Sequence, residues 1–233
     1  MLAITLLASG CSARISDGTT SLGGDDASPG AVCASRTVFL NFDGQALVRG
    51  RSDATQNRAE WLLNDTGTAP PYHQGDPGRA ALIQDIVDDV RAQLSMFPIS
   101  VVVDRPASGA YVMVVLGGQR GQVGSRFGSA VNRLDCDDSR PNDVAWISDA
   151  VAPAQHVANL VVGAVGFGLG LTGTRDPRDC MCGWANDCMS NDTVACTLGT
   201  AIARDPAASQ TCNGAGATQD EVATLRRAFC GDR

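Results

Sequence analysis

The clearest periodicity in the chain lies between residues 83 and 97, where Ile83, Val87, Val90, Leu94 and Phe97 recur at i, i+4, i+7, i+11 and i+14 with Asp85, Asp88, Asp89 and Arg91 between them. That spacing predicts an amphipathic helix of about five turns, ended by Pro98. Ahead of it, Arg36 to Asp43 is β-branched and aromatic and closes on Asp43-Gly44, which predicts a strand. Behind it, Ile99 to Asp104 and Tyr111 to Leu116 predict two strands joined by a Pro-Ala-Ser-Gly turn, Ala130 to Asp135 a short strand, and Val144 to Ser148 a buried one. Asn57 to Gly78 is turn-rich around Pro70-Pro71 and is expected to be mostly loop. An apolar run from Leu160 to Leu171 predicts a buried helix studded with glycine. Thr218-x-x-Glu221 reads as a capping box for a last helix with Val222, Leu225 and Phe229 on one face. Strands on both sides of a long helix imply an α/β (α+β) domain, a twisted mixed sheet backed by helices, with Trp61 and Trp146 in its core.

Composition narrows the chemistry more than the fold. The chain has 233 residues, 44% of them apolar, enough for one domain with appendages at about 150 residues per domain. All 18 basic residues are arginine, so there is no phosphate-binding P-loop lysine, no Schiff base and no Ser-Lys dyad. The only histidines are His73 and His156, and the only glutamates Glu60 and Glu221. A net charge of −7 argues against a nucleic-acid partner, because neutralising phosphates takes a clustered basic face.

The N-terminus points to export. Met1 to Ala8 is apolar, too short to span a bilayer, and resembles the core of a signal peptide. Leu7-Ala8-Ser9-Gly10-Cys11 resembles a bacterial lipobox, which implies a leader over residues 1–10 and lipidation at Cys11. Residues 11–32, rich in Ser, Gly, Thr and Asp, read as a flexible tether, so the expected location is the bacterial cell envelope, with a membrane contact made through the lipid and Ser12 after Cys11 resembling the outer-membrane sorting pattern; secretion on an ordinary signal peptide with Cys11 unmodified is the alternative. Setting Cys11 aside leaves Cys33, Cys136, Cys180, Cys182, Cys188, Cys196, Cys212 and Cys230, an even set suited to disulfides in an oxidising compartment. Pairing is not legible from spacing. A zinc cluster of Cys180, Cys182, Cys188 and Cys196 is the competing reading, without the usual C-x2-C knuckles.

The segment Leu160 to Thr174 (LVVGAVGFGLGLTGT) carries the sharpest signal. Gly168-x-Gly170-x-x-Gly173 matches a dinucleotide fingerprint only as a string, since loop chemistry follows it. Gly166-x-x-x-Gly170 sits in an apolar run too short for a membrane helix. In order, the chain offers a strand ending in DG, a long helix, two strands, a polar excursion, VAWISDA, an apolar helix, a G-L pair and a DPRDCM turn. That order resembles the catalytic domain of metzincin metalloproteases, matrixin-like bacterial members in particular, over Arg36 to Met181. The resemblance implies a metzincin-like domain over residues 33–233: an N-terminal part, 33–171, holding the former active-site helix, and a Cys-rich C-terminal part, 172–233. It places the Met-turn methionine at Met181.

In that family H-E-x-x-H-x-x-G-x-x-H supplies three zinc ligands and a general base. Aligned on Gly170-Leu171, the four reactive positions fall on Gly163, Ala164, Phe167 and Gly173, none of which offers a ligand or a proton acceptor. The expectation is a domain with no catalytic residues and no zinc, with Phe167 filling the space of the metal. What the resemblance leaves is an edge strand, Ala130, Val131, Asn132, Arg133, Leu134 and Asp135, along which a peptide or protein partner could add a strand. Two other readings stand beside it: a purely structural surface module, and a zinc peptidase with unorthodox ligands, His73 and His156 completed by Asp176 or Asp179. Asp135, Asp137, Asp138 and Asp143 form a carboxylate group suited to calcium, though without EF-hand spacing.

Overall fold

The computed structural model describes residues 36–185 and 188–230. The expected leader, Cys11, the tether and Cys33 lie outside the described residues. In chain order the elements are β1 (Arg36–Asn41), β2 (Gln45–Arg49), β3 (Arg58–Ala59), β4 (Thr66–Ala69), α1 (Arg79–Leu94), β5 (Ile99–Val102), β6 (Tyr111–Leu116), α2 (Arg120–Val123), β7 (Ala130–Val131), β8 (Val144–Ile147), α3 (Ala154–Gly168), β9 (Ile202–Ala203), β10 (Thr218–Gln219) and α4 (Glu221–Cys230). The fold is mixed α/β. Its main sheet runs β5-β1-β6-β8-β7, with the first four strands parallel and β7 antiparallel at the edge.

Alternation along the central strands sorts the layers. Side chains on a strand point to opposite faces in turn, and here both faces are covered, which is why β6 and β8 are buried throughout. Val38, Leu40, Val112, Val114, Leu116, Ala145 and Ile147 face α1 and α3. Phe39, Tyr111, Met113, Val115, Val144 and Trp146 face a small second sheet, β3-β2-β4. Trp61 crosses between the layers and donates its indole N–H to the Val144 carbonyl (2.7 Å), as Trp146 does to Gly117 (2.7 Å).

The helix expected from Ile83 to Phe97 runs from Arg79 to Leu94. Phe97 lies beyond its end and still enters the core, edge-on to Phe229 at 5.5 Å. Asn57 to Gly78 is mostly loop, as expected, but it also carries two short strands, β3 and β4, that the sequence did not signal. The miss has a physical cause: β4 reads Thr-Gly-Thr-Ala, with Gly67 and Ala69 inward, an alternation too small in side-chain volume to register as hydrophobic. The last helix is capped by Asp220, whose carboxylate accepts from the Ala223 amide (2.8 Å). Thr218, expected as the cap, lies instead in β10, paired with β9.

Disulfides join Cys136 to Cys212, Cys180 to Cys196 and Cys182 to Cys188, and Cys230 is also disulfide-bonded. The four cysteines proposed for a zinc cluster are therefore sulfur-bonded in two pairs and supply no thiolate. Among the described residues no helix is long and apolar enough to cross a membrane.

Candidate functional site

The site is built on the C-terminal half of α3. Three glycines lie inside this buried helix, and each costs about 1 kcal/mol of helix stability relative to alanine, so close packing has to compensate. A Cβ on Gly163 would strike the indole of Trp184 at Nε1, with Cδ1 at 2.5 Å and the Cys180 carbonyl oxygen at 2.6 Å. One on Gly166 would meet Leu171 at 2.9 Å and the Met181 sulfur at 3.0 Å. One on Gly168 would lie 2.6 Å from an Asp143 carboxylate oxygen and 2.8 Å from the Asn132 amide nitrogen. The glycines let neighbouring segments reach the helix backbone.

Of the four positions aligned with reactive residues, Gly163 lies under Trp184, and Gly173 lies against the backbone of Trp184 and Ala185, both 2.7 Å from where its Cβ would stand. Ala164 is buried, and its carbonyl accepts from the Asn132 amide (2.9 Å). Phe167 is only 5% exposed and stacks on Trp184, ring centroids 5.1 Å apart and planes 26° apart. Met181 is fully buried beneath the helix. Trp184 sits on the short 3-10 turn Cys182–Trp184 that follows it. Sequence reasoning missed Trp184 and Ala185, and the only hint was the pairing of glycines 163 and 173 with a bulky residue downstream.

Above Phe167 lies a groove of about 340 Å³. One wall is Ala130, Val131 and Asn132, with the exposed ring of Phe127 at its lip; the opposite wall is Gly183 to Ala185 with Ser209 and Gln210. The Cys136–Cys212 bridge ties the chain just after the first wall to the chain just after Gln210. Along the first wall the Ser148 amide donates to the Ser129 carbonyl (2.8 Å), and Ala130 stands opposite Ile147. Bonded and non-bonded pairs alternate in an antiparallel ladder, so the amide and carbonyl of Ala130 face outward.

The edge strand is shorter than expected from Ala130 to Asp135. β7 ends at Val131, because the following residues turn in to cover the end of α3: Asn132 bonds Ala164, and the Asp135 amide donates to the Phe167 carbonyl (3.4 Å), one of the helix-end acceptors that need partners. Leu134 gives its carbonyl to Arg140 (2.6 Å), and Arg133 is half-buried beside it.

The carboxylates singled out for calcium are divided among protein donors. Asp135 accepts from the Ser139 hydroxyl (3.1 Å) and the Arg140 amide (2.7 Å); Asp138 forms a two-toothed pair with Arg36 (2.9 Å); Asp137 is held by Asp135 and Ser139. Asp143 accepts from the Val144 amide (2.8 Å), and burial still pushes its carboxyl up to about 7 against that bond and the nearby Arg140 charge. The histidines do not converge: His73 pairs with Asp76 (3.6 Å) and His156 with Asp192 (3.4 Å). Asp176 is an exposed turn residue, whereas Asp179 is buried, accepting from the Thr174 hydroxyl (3.0 Å) and the Met181 amide (2.7 Å). Among the described residues no group of three or more His, Cys, Asp or Glu side chains is placed to hold a metal.

A second feature escaped the sequence. Fully buried Glu221 bonds Asp179 and accepts from the Gly199 amide (2.9 Å) and the Gln219 side chain (2.8 Å). Burial, then the neighbouring Asp179 charge, pushes the Glu221 carboxyl up to about 8, and burial raises Asp179 as well, so the pair holds a shared proton. This pair fixes the turn carrying Met181 to the start of α4.

Comparison with known proteins returns no matching family model and no curated protein with a significant match.

Proposed function

We propose that this domain is a non-catalytic, metzincin-like module that binds an extended peptide segment of a protein partner, tethered to the bacterial cell envelope by a lipid on Cys11. The observation that carries the reading is the pairing of two features in one groove. The chain from Trp184 to Ala185 occupies the space that ligand side chains at positions 163 and 173 would need, while the Ala130 backbone opposite is turned outward. Main-chain hydrogen bonds to such an edge give affinity without catalysis, and Phe127 and Trp184 supply apolar surface for side chains of the added strand. Support for the metzincin-like ancestry comes from the antiparallel edge strand beside the glycine-rich helix, and from Met181 packed beneath that helix. The disulfides fit an oxidising compartment.

The test is panning of the full chain against a displayed library of random peptides, with zinc and with chelator. Expected are binders that are not cleaved, that bind equally in both conditions, and that lose affinity in Ala130→Pro and Trp184→Ala. Proline at 130 removes an outward amide, a substitution that edge strands tolerate. Recovery of no binders, or of binders indifferent to both substitutions, favours the structural module. Stoichiometric zinc with cleavage lost in His73→Ala or His156→Ala favours the metallopeptidase.

A further inference from the structure

On the far side of the Asn132 to Asp143 excursion lies a second concavity, of about 300 Å³, walled by residues 51–53, Arg58 and residues 139–142. Its walls hold three arginines and one carboxylate in a chain whose net charge is −7. Their commitments differ. Arg140 is the half-buried floor, spent on Glu60 (2.9 Å), the Leu134 carbonyl (2.6 Å) and Asp135 (3.6 Å). Asp53 caps the short turn behind it, accepting from the Thr55 amide (3.0 Å) and hydroxyl (2.7 Å) and from the Gln56 amide group (2.8 Å). Both of its oxygens are thus occupied.

The rims are not spent in this way. Arg51 gives one N–H to the Ser139 carbonyl (2.8 Å), and neither Arg51 nor Arg58 forms an ion pair among the described residues. The Arg58 stem passes beside Gly50, its Cδ 3.4 Å from where a Cβ on that glycine would be. Asn142 uses its carbonyl oxygens, on the main chain for the Ala54 amide (2.7 Å) and on the side chain for the Tyr111 amide (3.1 Å). Its side-chain nitrogen therefore remains as a donor. Two guanidinium groups and an amide, from three separate segments, thus line one concavity whose single carboxylate is already occupied.

We propose that this concavity is a binding site for a tetrahedral oxyanion, free or as the head of an ester. Donors arriving from several directions suit a tetrahedral group, whereas a planar carboxylate is satisfied by a single guanidinium fork. The site stands apart from the groove and does not depend on the peptide-binding reading. Because the chain is strongly acidic, diffuse anion association works against its overall charge, so saturable binding reports a built site.

The experiment is calorimetric titration of the full chain with inorganic phosphate, then with sulfate, then with a simple phosphate monoester, at ionic strength held constant with chloride. Expected is one saturable site, weakened roughly tenfold to a hundredfold in Arg58→Gln through loss of a charge-assisted contact. Arg51→Gln weakens it too, and Arg58→Lys restores only part of the affinity. Both arginines are exposed, so these variants keep the wild-type unfolding transition. Tighter binding of the monoester than of phosphate assigns an esterified ligand; the reverse assigns the free ion. Absence of saturable binding, or equal binding in wild type and Arg58→Gln, overturns the proposal.

Discussion

Trp184 stacks on Phe167, and the edge of its indole occupies the volume that any side chain at position 163 would enter. One residue from a loop of the C-terminal region thus explains a phenylalanine and a glycine on α3 together. The stack keeps the floor of the groove apolar and leaves the helix a bare backbone face against the indole.

Gly163→Ala is expected to lower the unfolding free energy by about 1–3 kcal/mol through overpacking, although alanine is the better helix former by about 1 kcal/mol. The new methyl meets the indole and, at 2.6 Å, the fixed Cys180 carbonyl. Urea denaturation reads the loss. In the double variant with Trp184→Ala part of the loss returns, with a coupling energy of about 0.5–3 kcal/mol. Strict additivity of the two would mean that the indole does not press on the helix there.

Gly168→Ala tests the other end of the helix. Its Cβ would lie 2.6 Å from the Asp143 carboxylate and 2.8 Å from the Asn132 amide that bonds the Ala164 carbonyl. The expected result is a destabilisation of about 1–3 kcal/mol, together with altered groove binding, because Asn132 also lines the groove wall. Full stability with unchanged exchange protection of the β7 amides would contradict this packing.

How far the sequence could be read follows from these same residues. The central strands and α1 are legible because their apolar periods come from large side chains such as Val38, Leu40, Val90 and Leu94. β4 is not, since Gly67 and Ala69 bury so little. At position 163 a glycine does not name the residue that lies on it, and Trp184 comes from a segment without periodicity. The buried pair of Asp179 and Glu221 was equally silent: acids 42 residues apart in sequence look like surface charges until the fold sets them together. The edge strand was overextended because Asn132 and Asp135 are drawn away by acceptors on α3 that only the tertiary fold brings near.

That buried pair makes stability depend on pH. Glu221 is raised from 4.5 to about 8, so over that interval the folded chain keeps a proton that the unfolded chain has lost. Where the folded state binds more protons, stability falls as pH rises. The contribution is fully present below about 4.5 and is lost as pH climbs through about 8. Asp143 acts with the same sign between 3.8 and about 7. Urea midpoints across this range should decline toward alkaline pH, less steeply in Glu221→Gln. A slope that Glu221→Gln leaves unchanged would show that the pair does not share its proton.

A covalent tie stands beside the groove. Cys136 and Cys212 are 76 residues apart, whereas Cys182 and Cys188 are six apart. In the chain-entropy account a bridge stabilises by restricting the unfolded chain, more for a longer loop: roughly 4 kcal/mol for the first and roughly 2 for the second. Replacing both Cys136 and Cys212 by serine should therefore lower the unfolding free energy more than the same change at Cys182 and Cys188. The Cys136–Cys212 variant should also weaken peptide capture while still folded, because Cys212 anchors the segment that carries Ser209 and Gln210. Denaturation of both double variants, with groove binding measured below their transitions, separates the two effects. If capture survives the loss of Cys136–Cys212 unchanged, that wall is held by its noncovalent contacts alone and the bridge serves stability only.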